Sequence, residues 1–150
     1  MIKNNENFNS NLPTGFDGKF DWDFLLPIFN GSKIAPTDID FMLERNDFFL
    51  VIETKSNLAD IPMGQRILLR ALHRRGGITI MNVFYKGNEK NPEDIEIVQI
   101  LKPEKTEYES YSFPNGGGDK FIYEFVSQWW NYVNNNEYFS GLLNWINMVI

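Results

Sequence analysis

The amino-acid sequence predicts an α/β fold, in which helices pack on one mixed β-sheet. Short apolar runs rich in β-branched and aromatic residues, typical of strands, occur at 48–54, 78–84 and 95–101. An amphipathic segment at 63–75 lies between the first two runs and predicts a helix. A helix that joins two neighbouring strands favours a parallel pair, whereas the hairpin predicted at 39–54 is antiparallel. The sheet is therefore expected to be mixed.

The remaining elements are predicted in chain order. Residues 1–18 are polar and rich in asparagine, so a flexible N-terminal arm is expected, and 19–150 should form a single domain. A short helix interrupted by Pro27 is predicted for 19–29. The segment 105–113 is interpreted either as an edge strand or as an extended loop. C-terminal helices are predicted at 119–133 and 139–149.

The composition excludes several classes of function. The chain has no cysteine, which excludes disulfides, thiol catalysis and cysteine-bound zinc. It has one histidine, His73, which excludes a His-rich metal site and disfavours a Ser-His-Asp triad. A metal would therefore be held by carboxylates, which favours Mg²⁺, with Mn²⁺ as a substitute. No apolar run reaches the length of about 18 residues that a membrane helix needs, so a cytoplasmic protein is expected, in the host cytoplasm if it is viral.

The charges are unevenly distributed along the chain. The formal net charge is −6, yet residues 62–90 hold six basic residues and one acid. Within the predicted helix, Arg66, Arg70 and Arg74 recur every four residues and so share one face, with His73 beside them. This basic stripe is either a solvated surface or, together with Lys86, a site for nucleic-acid phosphates.

The hairpin brings ionisable residues together at one end. If Asn46 and Asp47 form a two-residue turn, Arg45 pairs with Phe48, and continuing the register places Asp40 directly opposite Glu53. Because side chains alternate between the faces of a strand, Asp38, Asp40, Glu53 and Lys55 then share one face.

Two opposed carboxylates repel each other unless a positive charge compensates them. A divalent cation would supply that charge, and Lys55 would add to it; alternatively, the acids are simply hydrated at the strand ends. Gln65 falls on the apolar face of the following helix, near its start. Its amide either faces the acidic cluster or is satisfied by backbone groups.

The segment "IDFMLERNDFFLVIETKS" resembles the active-site hairpin of the PD-(D/E)XK nuclease superfamily, with Asp40 as the first acid and Glu53-Thr54-Lys55 as the tripeptide. The separation of Asp40 and Glu53 is similar to that in archaeal Holliday-junction resolvases. The helix "GQRILLRAL", with Gln65, resembles the helix of phage and restriction-type members, which suggests a phage or mobile-element origin. The likeness covers about 33–85. The Pro-Asp dipeptide itself is absent, since Ile39 precedes Asp40.

The resemblance implies a restriction-endonuclease-like fold and a metal-dependent phosphodiesterase. The implied metal ligands are Asp40, Glu53 and the Thr54 carbonyl, with Asp38 as an alternative, and the implied catalytic residues are Asp40, Glu53, Lys55 and Gln65. Arg66, Arg70, Arg74 and Lys86 would contact the nucleic acid. Whether an N-terminal acid adds a further ligand stays open.

The sequence therefore predicts a Mg²⁺-dependent nuclease acting on DNA, with endonuclease activity favoured. The alternatives are a catalytically weak nuclease-fold module for binding or assembly, and an RNA endonuclease. The C-terminal third is rich in aromatic residues, which either cover the sheet or form the interface of a homodimer.

Overall fold

The computed structural model describes residues 23–29, 39–56, 61–87 and 90–135. The chain divides into two compact units, Met1–Thr37 and Asp38–Ile150. In the first unit, Asp23–Phe29 is a 3-10 helix that contains Pro27, at the place where the short helix is expected. The arm at 1–18, Asp38 and the helix at 139–149 lie outside the described residues, so these three expectations stay predictions.

The described residues of the second unit form a five-stranded mixed sheet with the strands in the order β1-β2-β3-β4-β5. The strands are β1 (Phe41–Arg45), β2 (Phe48–Ser56), β3 (Ile78–Tyr85), β4 (Ile95–Leu101) and β5 (Glu109–Ser112). Helix α1 (Met63–His73) connects β2 to β3, and helix α2 (Gly118–Val133) follows β5. A short 3-10 helix, Pro92–Asp94, precedes β4.

The strand pairing confirms the α/β class and the mixed sheet. β1 and β2 are antiparallel with Arg45 opposite Phe48, the predicted register, and β2 and β3 are parallel. β4 and β5 each add antiparallel to the strand before them, so the segment at 105–113 contains an edge strand. The hairpin was expected at the centre of the sheet, and this expectation is wrong for the described strands. β1 is outermost there, because β4 and β5 both extend the sheet on the far side of β3.

The hairpin turn explains why the register is so well determined. Asn46 and Asp47 have φ angles of 53° and 66°, the left-handed conformation that a two-residue type I′ turn requires at both positions. The Asn46 side chain also donates to the Val133 carbonyl over 2.7 Å and satisfies an unpaired group at the end of α2. The turn is therefore held both by its own geometry and by the neighbouring helix.

Within the described ranges, one helix packs on each face of the sheet. Helix α2 places Phe125 and Trp129 on one face, against Leu50 and Ile100, and all four side chains are buried. Helix α1 places Leu69 on the opposite face, against Val51, Ile80 and Leu101. Neither helix is long and apolar enough to cross a bilayer, and the same holds for every helix in the described ranges.

Candidate active site

Glu53 is the centre of the candidate site. It lies near the end of β2 on the face that α1 covers, and only 2% of its surface is exposed. Its Oε2 accepts a hydrogen bond of 2.7 Å from Gln65 Nε2, and its Oε1 accepts one of 3.3 Å from the backbone N–H of Asp40. The buried carboxylate is therefore held between the first turn of α1 and the residue that precedes β1.

Asp40 lies beside Glu53 just before β1 begins, in line with the register derived from the sequence. Asp40 Oδ2 accepts hydrogen bonds from the Thr54 backbone N–H (2.8 Å) and from the Thr54 hydroxyl (2.7 Å). Asp40 Oδ1 faces no hydrogen-bond donor among the described residues. The side chain is exposed, so Asp40 contributes an accessible carboxylate to the site.

The electrostatics of the site disfavour a negative charge on Glu53. Burial raises the pKa of the Glu53 carboxyl above its usual 4.5, and the negative charge of Asp40 raises it further. Three weaker interactions lower that pKa: the hydrogen bond from the Asp40 backbone, the charge of Lys55 and the hydrogen bond from Gln65. The ionised Glu53 is thus undercompensated by the protein's own groups.

Lys55 and Thr54 complete the predicted tripeptide. Lys55 lies two residues beyond Glu53 on the same face of β2, is half-buried, and is close enough to lower the pKa of Glu53. In an extended strand the N–H and the C=O of one residue point to the same side. Since the Thr54 N–H points toward Asp40, the Thr54 carbonyl also points to the edge where Asp40 lies.

A divalent cation fits the donor set in charge and in chemistry. The two carboxylates and the Thr54 carbonyl are oxygen ligands of the kind that Mg²⁺ prefers. Asp40 Oδ1 accepts no hydrogen bond among the described residues, and each Glu53 oxygen has a second lone pair beyond the one hydrogen bond that it accepts. The described residues contain no cluster of three or more Asp, Glu, His or Cys side chains, so the site offers two acidic ligands there.

Comparisons of this chain with protein-family models, with curated proteins and with solved structures found no match.

The predicted basic stripe divides into residues that line a groove next to the site and residues that do not. Arg66 and Arg70 line a groove between α1 and the sheet, whereas Arg74 lies beyond the end of α1 and is exposed. Lys86 is also exposed and follows the end of β3. His73 was expected in the stripe, but it is half-buried and its Nε2 lies 2.8 Å from the Lys102 carbonyl, so it faces the end of β4.

Asn82 lies on the same face of the sheet as Glu53 and was not predicted as a site residue. It is 3% exposed and lies directly beside Glu53 in the parallel register of β2 and β3, with Gln99 next to it on β4. The signal was present in the sequence, because Asn82 is the one amide in the apolar run "ITIMNVFY". A polar residue in a buried strand requires a hydrogen-bond partner.

Proposed function

We propose that this protein is a Mg²⁺-dependent nuclease that hydrolyses phosphodiester bonds in DNA, with endonucleolytic cleavage favoured. The observation that carries the proposal is the buried Glu53 carboxylate beside the carboxylate of Asp40. An arrangement that disfavours a second negative charge is costly for a purely structural site and suited to a divalent cation.

Asp40, Glu53 and the Thr54 carbonyl would hold the ion. When bound, Mg²⁺ supplies Lewis-acid polarisation of the scissile phosphate and lowers the pKa of a coordinated water. Asp40 Oδ1 has no hydrogen-bond partner in the described ranges and is the oxygen best placed to bind without breaking an existing contact.

Gln65 is proposed to orient both the carboxylate and the attacking water. Its Nε2 holds Glu53 Oε2, while its buried Oε1 has no hydrogen-bond partner among the described residues. An acceptor left open beside a metal-binding carboxylate can receive a hydrogen bond from the water and direct its lone pair toward phosphorus.

Lys55 is proposed to stabilise the negative charge that develops on the phosphate oxygens during cleavage. Its ammonium lies on the same face as Glu53 and interacts with it electrostatically. A fixed positive charge at that position lowers the energy of the transition state more than that of the ground state, because the phosphate becomes more negative as the bond breaks.

Nuclease activity with matched variants tests the proposal. Wild-type protein is incubated with supercoiled plasmid, single-stranded DNA and RNA, in Mg²⁺, Mn²⁺ or EDTA. We expect metal-dependent cleavage of DNA that is lost in Glu53→Ala and in Lys55→Ala. Glu93→Gln, which removes an exposed acid outside the site, should retain it.

The same experiment separates the alternatives. Cleavage that survives both Glu53→Ala and Lys55→Ala would overturn the site assignment. Cleavage of RNA alone would replace the proposed substrate. Absence of cleavage on all three substrates, together with absence of Mn²⁺ binding by calorimetry, would favour a nuclease-fold binding module.

A homodimer is proposed as the working assembly, because helix α2 carries two exposed aromatic side chains, Tyr123 at 75% and Trp130 at 43% exposure. Large exposed aromatics are enriched in subunit interfaces. Light scattering coupled to size exclusion measures the molar mass directly, and a monomer at all concentrations would exclude this part of the proposal.

A further inference from the structure

A groove adjoins the candidate active site on the face of the sheet that α1 covers. Its volume is about 380 Å³, within the range of about 300–1,000 Å³ that small-ligand sites occupy. Arg66 and Arg70 of α1 form part of its wall, and Asn82, Phe84 and Gln99 on the sheet and Tyr108 line it as well. None of the described residues that line it is acidic.

The groove begins one strand away from Glu53. Glu53 pairs with Asn82 in the parallel register, and Asn82 pairs with Gln99 in the next strand. Neighbouring strands are about 4.8 Å apart, so the Cα atoms of Glu53 and Gln99 are separated by roughly 10 Å. Paired residues point to the same face, and the three polar side chains therefore form one row that runs from the site into the groove.

Asn82 presents an unused hydrogen-bond acceptor there. Its side chain interacts with the Tyr108 hydroxyl, which partly offsets the rise that burial causes in the pKa of Tyr108. Asn82 Oδ1 is buried and has no hydrogen-bond partner in the described part of the chain. A buried amide oxygen left unpaired is unfavourable, so a ligand that brings a hydrogen-bond donor to it would bind more tightly.

The arginine side chains and the aromatic rings of the groove indicate which other groups the ligand carries. Arg70 lies 5.5 Å from the centroid of the Tyr108 ring and donates to the Thr106 carbonyl over 3.2 Å, so its guanidinium is held at the groove wall. Arg66 is exposed beside it. Two cations at the wall, one of them held in place, suit phosphates, while Phe84 and the side-chain amides of Asn82 and Gln99 suit a flat ring that carries N–H donors.

We propose that this groove binds one unpaired nucleotide of the substrate strand, with its base against Asn82 and its phosphates at Arg66 and Arg70. The nuclease would then act on single-stranded DNA or on a duplex from which one nucleotide is turned out. This inference rests on the proposed function only for the statement that the bound polymer is DNA. Binding of a nucleotide in the groove does not require cleavage.

Binding is measured by fluorescence anisotropy in EDTA, which removes cleavage from the readout. The probes are labelled oligo-deoxyadenylate and an oligomer of equal length in which every base is replaced by an abasic analogue. Wild-type protein should bind the oligo-deoxyadenylate about tenfold or more tightly than the abasic oligomer, the size expected for one bound base. Equal binding of the two oligomers would overturn the proposal.

Variants assign the preference to the groove. Asn82→Leu and Gln99→Leu should each reduce the ratio between the two oligomers, whereas Arg66→Gln should weaken both oligomers by the same factor. Arg74→Gln, directly after the end of the same helix and outside the groove, is the matched control. A ratio that is unchanged in both Asn82→Leu and Gln99→Leu would contradict the assignment.

Asn82 lies in the buried part of β3, so its replacement can reduce stability, and a measurement on the wild-type protein avoids this problem. The side-chain amide resonances of Asn82 are followed by NMR during a titration with deoxyadenosine monophosphate. We expect these resonances to shift until the site is saturated. If they do not shift, the proposal is overturned. The titration is made in EDTA and involves no cleavage, so failure of the groove is distinguished from failure of the nuclease.

Discussion

The side-chain amide of Gln65 is 2.7 Å from Glu53 Oε2, and this contact joins the first turn of α1 to the end of β2. The two residues are twelve positions apart and both are buried. The hydrogen bond stabilises the ionised form of a carboxylate that burial and the charge of Asp40 destabilise. Gln65 therefore tunes the acid on which the proposed metal site depends.

Replacing Gln65 should raise the pKa of Glu53 further. In Gln65→Met the hydrogen bond is lost while a side chain of similar length is kept, so the carboxylate loses a donor that lowers its pKa. The ¹³C chemical shift of the Glu53 carboxyl carbon, followed against pH in metal-free protein, measures this directly. Ile67→Met, at an exposed position of the same helix, is the control. A midpoint that stays unchanged in Gln65→Met would show that the contact does not affect the ionisation of Glu53.

The stability of the metal-free protein should depend on the protonation of Glu53. Its pKa is raised in the folded state, so the folded protein binds a proton more tightly than the unfolded chain does. The stability contributed by this group is therefore lost as pH rises through the raised pKa, and is fully present below the usual value of 4.5.

Glu53→Gln removes this pH dependence. The melting temperature of Glu53→Gln minus that of the wild type should be most positive at neutral pH and should shrink as pH falls toward 4.5. Thermal unfolding monitored by circular dichroism gives both values. Glu93→Gln controls for the removal of one exposed negative charge. A difference that is constant with pH would contradict the raised pKa.

Divalent cations should stabilise the wild-type protein and not the variants of the acidic pair. Binding to the folded state alone adds about 2.7 kcal/mol at a free ion concentration one hundred times the dissociation constant. Differential scanning fluorimetry with Mn²⁺ should show the increase in the wild type and in Glu93→Gln, and its loss in Asp40→Asn and Glu53→Gln. The increase should weaken at acidic pH, because protonation of Glu53 competes with the ion. An equal increase in all four proteins would place the ion elsewhere.

The two ends of the basic stripe should contribute differently to nucleic-acid binding. Each phosphate contact to a single strand contributes about 0.7 to the slope of log affinity against log salt. Arg66→Gln should reduce that slope by about this amount, whereas Arg74→Gln, outside the groove, should leave it unchanged. Titrations of oligo-deoxyadenylate at several salt concentrations in EDTA provide the slopes. Equal slopes in both variants and the wild type would indicate that the stripe is only solvated surface.

The hairpin turn should tolerate glycine and reject a β-branched residue at Asp47. The φ angle of 66° at this residue is accessible to glycine without strain. In Asp47→Val the left-handed conformation should cost about 1–2 kcal/mol, and Asp47→Gly should be as stable as the wild type or more so. Urea denaturation measures both free energies of unfolding, and a fully stable Asp47→Val would show that the turn does not determine the hairpin.

The local pairing of the strands could be predicted from the sequence. Asn46 and Asp47 accept positive φ angles, and a two-residue turn of that kind allows a single register between β1 and β2. That register places Asp40 opposite Glu53, and side-chain alternation places both on one face, without knowledge of any other element. The parallel pairing of β2 with β3 followed from the amphipathic helix between them. These features depend on residues that are near one another in the chain.

The contacts between distant segments were decided by the tertiary structure. The position of the hairpin at the edge of the described sheet depends on β4 and β5, which extend the sheet beyond β3. Arg70 is held at the groove wall by Thr106 and Tyr108, residues more than thirty positions away. Asn82 is a candidate binding residue only because the strand register places it beside Glu53, on the face that α1 covers. Turn geometry and side-chain alternation act over a few residues, whereas burial of a polar atom depends on every segment that packs around it.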